Sequence, residues 1–268
     1  MTSRILCRVD RLLAEASEAK PVLGLDTGSS TAFLGLVANG RVIGHLACPV
    51  TSHGAALPHA VDELLSASKL ALGDLGGIAV GIGPGSFTGL RIGLSYAKGI
   101  AMASGCAVVG VPSLDTIALA ALGEANLSEG TQICCVVDAR KGELYAALYR
   151  VVSDGLEKVS EELLVALEDL ASRVAGDVLF AGDMRAKDAA ALFSPRGHVV
   201  AVLDTSQFFV RGSCVAAIGA AMMSRGEIAE PATLEPMYIR PPEATVKRAA
   251  KPRPAFATEG VWSEETKN

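Results

Sequence analysis

What the sequence lacks narrows its function before any motif is considered. Aromatic side chains make up only 4% of the 268 residues, with a single tryptophan. Together with long alanine-rich helical stretches, this argues against an all-β sandwich or barrel. The longest apolar runs, 117–122 and 216–223, fall well short of the roughly 20 residues that cross a bilayer. There is no basic excess: 24 Lys plus Arg stand against 29 Asp plus Glu, for a net charge of −5. This argues against a protein gripping nucleic acid through a broad cationic face, and leaves room for a small or shared RNA contact. None of the six cysteines, Cys7, Cys48, Cys106, Cys134, Cys135 and Cys214, forms a C-x-x-C pair. They read as reduced, buried small hydrophobes, with Cys134 and Cys135 on opposite faces of a strand. No H-E-x-x-H is present, and His53 and His59 are six apart, so no metal site is expected. Residues 1–20 carry Arg4, Arg8 and Arg11 but also Asp10, Glu15 and Glu18, without the apolar core of a secretory leader; a cytoplasmic protein is expected.

What is present is material for a real core. Half the residues are hydrophobic and the mean hydropathy is +0.37, which excludes disorder over most of the chain. Ile5, Leu6, Val9, Leu12, Leu13 and Ala16 recur at helical spacing and predict a helix over 4–18, read as a dispensable extension. Strands are expected at 22–26, 31–37 and 41–47, the last two joined at Asn39-Gly40, a dipeptide suited to a type I′ hairpin. Helix 55–70, strand 78–82, helix 90–103, strand 108–111 and helix 113–122 follow. The pattern then restarts: strands at 133–138, 144–151 and 159–165, helix 167–174, strand 178–181, helix 186–192, strand 199–202 and helix 206–223. Two similar α/β lobes result, each a mixed sheet covered by helices. The division expected is 1–20 extension, 21–112 N-terminal lobe, 113–242 C-terminal lobe with a closing helix, and 243–268 disordered tail. That proline-rich tail holds Lys247, Arg248, Lys251 and Arg253, a solvated segment or, less simply, an RNA contact.

Two motifs carry chemistry. Asp26-Thr27-Gly28-Ser29-Ser30 suits one half of an aspartic-protease site, with Asp204-Thr205-Ser206 as the other half; the helical run after Asp204 argues against it. It suits better the phosphate-contacting turn of an actin-like ATPase or, as readily, a plain hairpin with Asp26 bonded to backbone amides. Gly83-Pro84-Gly85-Ser86-Phe87-Thr88-Gly89-Leu90-Arg91 fails the P-loop, dinucleotide and nucleophile-elbow patterns. It remains either a turn approaching an anion near Arg91 or a tight strand-to-helix junction. Beyond it, Gly89, Gly93, Ala97 and Ala101 recur every four residues, a smooth stripe that lets another helix come close, with Arg91, Ile92 and Ile100 beside it. Ser66 to Lys69 and Ser95 to Lys98 match S-x-x-K without its companion motifs and are read as chance.

Residues 22–30, Ser52-His53, 83–93, Ala97-Lys98-Gly99, 110–114, 138–145 and Tyr238-Ile239-Arg240-Pro241 together resemble the bacterial TsaB family, also called YeaZ, over 21–242. The G-P-G-S-F-T-G-L-R-I-G segment is the specific part, with Gly83, Gly85, Ser86 and Thr88 as its signature loop. The resemblance implies a two-lobed actin-like ATPase fold of the RNase H-like type. It also implies a role in making N6-threonylcarbamoyladenosine at position 37 of tRNA. In that system a TsaC-type enzyme makes threonylcarbamoyl-adenylate, and TsaD transfers the group with help from TsaB and the ATPase TsaE. The expected partners are thus TsaD, TsaE and, indirectly, tRNA, with a homodimer in isolation and no membrane. TsaD-type proteins carry a metal-binding H-x-x-x-H where this chain has Ser113 and Ile117, and Asp138-Ala139-Arg140-Lys141-Gly142 stands at the second phosphate turn. The expectation is a non-catalytic subunit without catalytic residues, metal or cofactor. Only a vestigial nucleotide contact is expected, at Asp26, Thr27, Gly28 and Ser29, with a partner interface at Gly89, Arg91, Ile92, Gly93, Ala97, Ile100 and Ala101. The alternatives are an autonomous glycoprotease-like peptidase, or an ATPase or kinase of the same fold.

Overall fold

Alternation along the first long strands fixes which residues face which layer. The computed structural model describes residues 4–17, 20–49, 56–166, 169–170, 177–183, 198–204 and 210–240. Its first sheet takes β2 (Val22–Asp26), β3 (Thr31–Ala38), β4 (Arg41–Pro49), β5 (Gly77–Gly83) and β6 (Ala107–Pro112) in the order β4-β3-β2-β5-β6. β2, β3 and β4 form an antiparallel meander, and β5 and β6 run parallel to β2. Asn39 and Gly40 both have positive φ, 50° and 67°, as the type I′ turn requires.

On one face of this sheet Leu23, Leu25, Leu34, Leu36, Ile78 and Val80 pack against α2 (Ala56–Ala67) and α3 (Phe87–Ser104). The opposite face, with Val22, Val37, Ala79 and Val109, meets α4 (Ser113–Glu124) and α5 (Val210–Ser224). Helix α5 comes so close that a Cβ on Gly35 would lie 2.2 Å from the Gly212 carbonyl carbon, and one on Gly24 2.3 Å from the Ala216 nitrogen. Only glycine leaves room for that approach. The helix expected at the end of the second lobe thus packs on the sheet of the first.

The second sheet repeats the plan, with β7 (Gln132–Asp138), β8 (Glu143–Val152), β9 (Gly155–Lys158), β11 (Asp177–Asp183) and β12 (His198–Asp204), plus β10 (Leu163–Ala166) beside β8. Of the strand expected at 159–165 only the end is extended, as β10, while β9 precedes it as a strand the sequence did not separate from β8. Its inner face, including Ile133, Cys135, Tyr149 and Leu179, closes on α4 and α5 from the other side, so the two helices are sandwiched between the sheets. Cys134 faces outward into a separate cluster with Val136 and Phe180. Burial pushes the thiols of Cys134 and Cys214 up to about 12, and that of Cys135 well above its usual range.

The dispensable extension is a correction. Residues 4–18 are not one helix: β1 (Arg4–Cys7) pairs antiparallel with β9, and only Val9–Glu15 is helical, as α1. Leu6 and Leu12 are each 4% exposed and belong to the central core. Arg11 bridges to Asp154, and Glu15 to Arg225 at the end of α5. The segment forms the edge of the second sheet and buries its apolar side in the central core. Helix 186–192, most of helix 167–174, the start of helix 206–223, Ser52, His53 and the tail from 241 lie outside the described residues.

Candidate functional site

The two lobes face each other across a cleft of about 730 Å³. One wall is the Gly28-Ser29-Ser30 turn with the Gly85–Gly89 loop, and the other is the end of β7 with Asp138, Ala139, Arg140 and Tyr145. Strand β2 ends in Asp26, whose side chain is not at the cleft surface. It is 1% exposed, and its Oδ1 accepts the Gly28 N–H at 2.8 Å. Its Oδ2 lies 3.6 Å from the Arg211 guanidinium of α5, itself 1% exposed and stacked 4.5 Å over the Phe33 ring. Two groups of opposite charge are thus withdrawn from water face to face. Thr27 is equally buried and donates its hydroxyl to the Gly89 carbonyl at 2.8 Å. Of the four residues expected to meet a nucleotide, Gly28 and Ser29 line the cleft, whereas Asp26 and Thr27 lie beneath it.

The signature loop is packed onto this turn. The Ser86 N–H donates to the Gly28 carbonyl at 2.6 Å, and a Cβ on Gly85 would sit 2.5 Å from that same oxygen. Gly83 holds φ 105° ahead of a cis bond to Pro84. Ser86 caps α3 by accepting the Gly89 N–H at 3.3 Å, so the helix starts at Phe87 rather than Leu90. The junction reading accounts for Gly85 and Ser86, while Ser86 and Thr88 also line the cleft.

The small-residue stripe is a second correction. Gly89, Gly93, Ala97 and Ala101 all face into the lobe, where a Cβ on Gly93 would meet the Thr27 Oγ1 at 2.2 Å and one on Gly89 the Thr27 carbonyl oxygen at 2.0 Å. The close neighbour is β2 with its turn, not a partner helix. Ile92 and Ile100 keep half-exposed surface, and with Leu72, Tyr96, Gly99 and Ala103 the latter lines an apolar groove of about 440 Å³ on one flank of α3. Arg91 turns to the other flank, where its guanidinium lies 4.0 Å over Phe87 and its Nε donates to the Tyr238 hydroxyl at 3.0 Å.

Across the cleft, Arg140, Lys141 and Gly142 take positive φ in succession, 63°, 58° and 81°. Two of these are not glycine, a conformation costing about 1–2 kcal/mol per residue. Asp138 offsets part of it by accepting the Arg140 N–H at 2.8 Å, and Arg240 clamps the turn by donating to the Ala139 carbonyl at 2.9 Å and pairing with Glu143. The segment before Arg240 is tied to the first lobe, with the Met237 N–H donating to the Ile82 carbonyl at 2.7 Å. Tyr238 and Arg240, known from sequence only as part of a resemblance, thus connect both walls.

The positions matching a TsaD-type metal pair, Ser113 and Ile117, are both buried in α4. Between them Asp115, fully buried, accepts from the Tyr149 hydroxyl at 2.7 Å and from Lys158 at 2.9 Å, and Lys158 also pairs with Glu162. Burial alone would lower the Lys158 ammonium, but the two carboxylates outweigh it and raise it; burial and Asp115 push the Tyr149 hydroxyl well above its usual range. No sequence signal pairs these residues, because their spacing is tertiary. Among the described residues no group of three or more His, Cys, Asp or Glu could hold a metal ion, and no helix is long and apolar enough to cross a membrane.

Residues 50–233 match the family model of TsaD, tRNA N6-adenosine threonylcarbamoyltransferase. The tRNA threonylcarbamoyladenosine biosynthesis protein TsaB of Escherichia coli K12 is 33% identical over 135 residues, 50% of this chain and 57% of that one. The chain therefore spans little more than half the length of that relative. An uncharacterised protein of Mycobacterium tuberculosis H37Rv is 31% identical over 229 residues, 83% of this chain and 93% of its own. Among solved structures, YeaZ from Pseudomonas aeruginosa superposes with a TM-score of 0.64 at 23% identity, over 82% of this chain and all of that one. Another structure, a protein described as similar to peptidase YeaZ, gives 0.67 at 24% with the same coverage. The paired sheets, each a three-strand meander extended by parallel strands, have the two-lobed actin-like architecture; by sequence, the chain belongs to the TsaB (YeaZ) family within the group that the TsaD model describes.

Proposed function

We propose that this chain is the non-catalytic partner of TsaD in the synthesis of N6-threonylcarbamoyladenosine at position 37 of tRNA. It supports transfer of the threonylcarbamoyl group by TsaD while TsaE supplies the ATPase activity. The observation that carries the reading is the burial of Asp26 against Arg211, 3.6 Å away. An actin-like ATPase needs that carboxylate at the phosphates, and a metal-bound nucleotide does not fit a residue sealed beneath the turn and already balanced by a guanidinium. A peptidase of the aspartic type needs a second carboxylate opposite Asp26 to share its proton; the group opposite is Arg211. Two hydroxyls of the cleft are also engaged structurally, Ser29 donating to the Thr31 carbonyl and Ser86 accepting the Gly89 N–H.

Docking of TsaD is assigned to the apolar flank of α3 around Ile92, Tyr96, Gly99 and Ile100, together with α2. Half-exposed aliphatic and aromatic groups beside a bare glycine give a helix room to seat. In the absence of TsaD the same flank pairs two copies of this chain. The test combines turnover and binding: purified chain is incubated with ATP and with a peptide pool, then run with TsaD on size exclusion. The expected result is no turnover and co-elution; ATP or peptide turnover lost in Asp26→Ala would overturn the reading.

A further inference from the structure

We propose that the mouth of the cleft is a contact for single-stranded RNA, built from Phe87, Arg91, Tyr238 and Arg140. This deepens the reading of the chain as a tRNA-modification subunit and rests on it. Phe87 and Tyr238, 43% and 36% exposed, are the aromatic side chains among the exposed large hydrophobics of the described residues, and they stand against each other with ring centroids 5.3 Å apart. In a chain this poor in aromatics, leaving two of them in water side by side forgoes burial that the fold could have used. The Arg91 guanidinium lies 4.0 Å over the Phe87 ring and donates to the Tyr238 hydroxyl, so the three groups, with the two rings tilted by 31°, form one contiguous aromatic and cationic cluster. Arg140 stands across the opening, exposed on its left-handed turn, and lines the same cleft as Phe87.

Aromatic and guanidinium planes stack on unpaired bases, and guanidinium N–H groups hold phosphate oxygens. A protein partner would also use Tyr, Phe and Arg, but the charge pattern favours a polyanion. The nearby carboxylates are already employed, Glu143 by Arg240 and Asp138 by the Arg140 N–H. The chain leaves this patch at Arg240, and the sequence that follows carries Lys247, Arg248, Lys251 and Arg253. The contact is local, in keeping with a protein that is acidic as a whole.

The test is fluorescence anisotropy of the full-length chain with a labelled RNA stem-loop that has an unpaired adenosine-rich loop, against a fully paired RNA of the same length. Co-elution with TsaD is recorded separately for each variant. The wild type should prefer the stem-loop. Phe87→Ala and Tyr238→Ala should each weaken binding by about five-fold or more, and Arg91→Ala should lower the salt slope by about one. Tyr238→Phe, which keeps the ring, should bind nearly as the wild type, and circular dichroism checks that each variant is folded. Equal binding of both RNAs or none, folded variants that bind as the wild type, or loss of binding only when the chain is cut after Arg240 would each overturn the proposal. Variants that lose TsaD along with RNA would make the mouth a protein face and overturn it as well. Failure of the wild type to co-elute with TsaD instead refutes the proposed function, whatever the RNA result.

Discussion

The same substitution at two glycines of α3 should have opposite signs. At Gly99 nothing lies within 4 Å of an added Cβ, whereas at Gly93 that atom would meet the Thr27 Oγ1 at 2.2 Å and the Leu25 Cδ1 at 3.1 Å. Both positions lie inside a helix running Phe87–Ser104, so alanine gains about 1 kcal/mol of helix propensity at each. For Gly99→Ala that gain stands alone, and the melting temperature should rise by about 2 °C. For Gly93→Ala the Thr27 hydroxyl must move, although its bond to the Gly89 carbonyl holds it in place. Overpacking costs about 1–3 kcal/mol and the lost hydrogen bond about 1 more. Subtracting the propensity gain leaves a net loss of about 1–3 kcal/mol, so Gly93→Ala should melt several degrees below the wild type. Urea and thermal unfolding of the two variants at low protein concentration settle the comparison. A stabilised Gly93→Ala would mean that this side of α3 is free, and would return the small-residue stripe to the surface.

Three further perturbations follow from the packing. Leu12→Ala should cost about 2–5 kcal/mol in urea unfolding, because Leu12 is a core residue; a change below about 0.5 kcal/mol would restore the view that the N-terminal segment is dispensable. Arg211→Met leaves Asp26 buried without its counter-charge and should destabilise by about 3–5 kcal/mol, with most of the loss recovered on adding Asp26→Asn; an additive double variant would show that the two groups are not coupled. Raising the pH should destabilise the protein through its thiols: burial pushes Cys134 and Cys214 from 9.0 up to about 12. Their contribution is complete below pH 9 and is lost as the pH rises toward 12, amounting to about 3 kcal/mol together by pH 10. Urea midpoints that match at pH 7 and pH 10, with reductant present, would contradict that burial.

The lobes, the Asn39-Gly40 hairpin and the strand ending in Asp26 were legible because periodicity and turn chemistry are local. What eluded the sequence is tertiary in kind. The stripe Gly89, Gly93, Ala97, Ala101 states that something approaches closely without stating what, and the neighbour proved to be Thr27 of the same lobe. Arg4–Cys7 is too short for its alternation to stand apart from the helix after it, so strand and helix merged into one pattern. Alanine-rich α5 is apolar on every side, and its place between the sheets depends on Gly24 and Gly35 far upstream. In the site, Asp26 could be recognised as a strand-end acid, but its partner Arg211 lies on the last described helix. The joining of both cleft walls by Tyr238 and Arg240 likewise depends on long-range contacts that no spacing encodes.

The most direct test of a non-catalytic, TsaD-binding subunit is reconstituted transfer. TsaD, TsaE, threonylcarbamoyl-adenylate and unmodified tRNA are combined with and without this chain, and modified adenosine is measured. Modification should depend on the chain and be lost with a folded Ile100→Arg variant, which carries a charge into the groove on α3. Full modification without the chain, or an unchanged rate with the folded Ile100→Arg variant, would contradict that role.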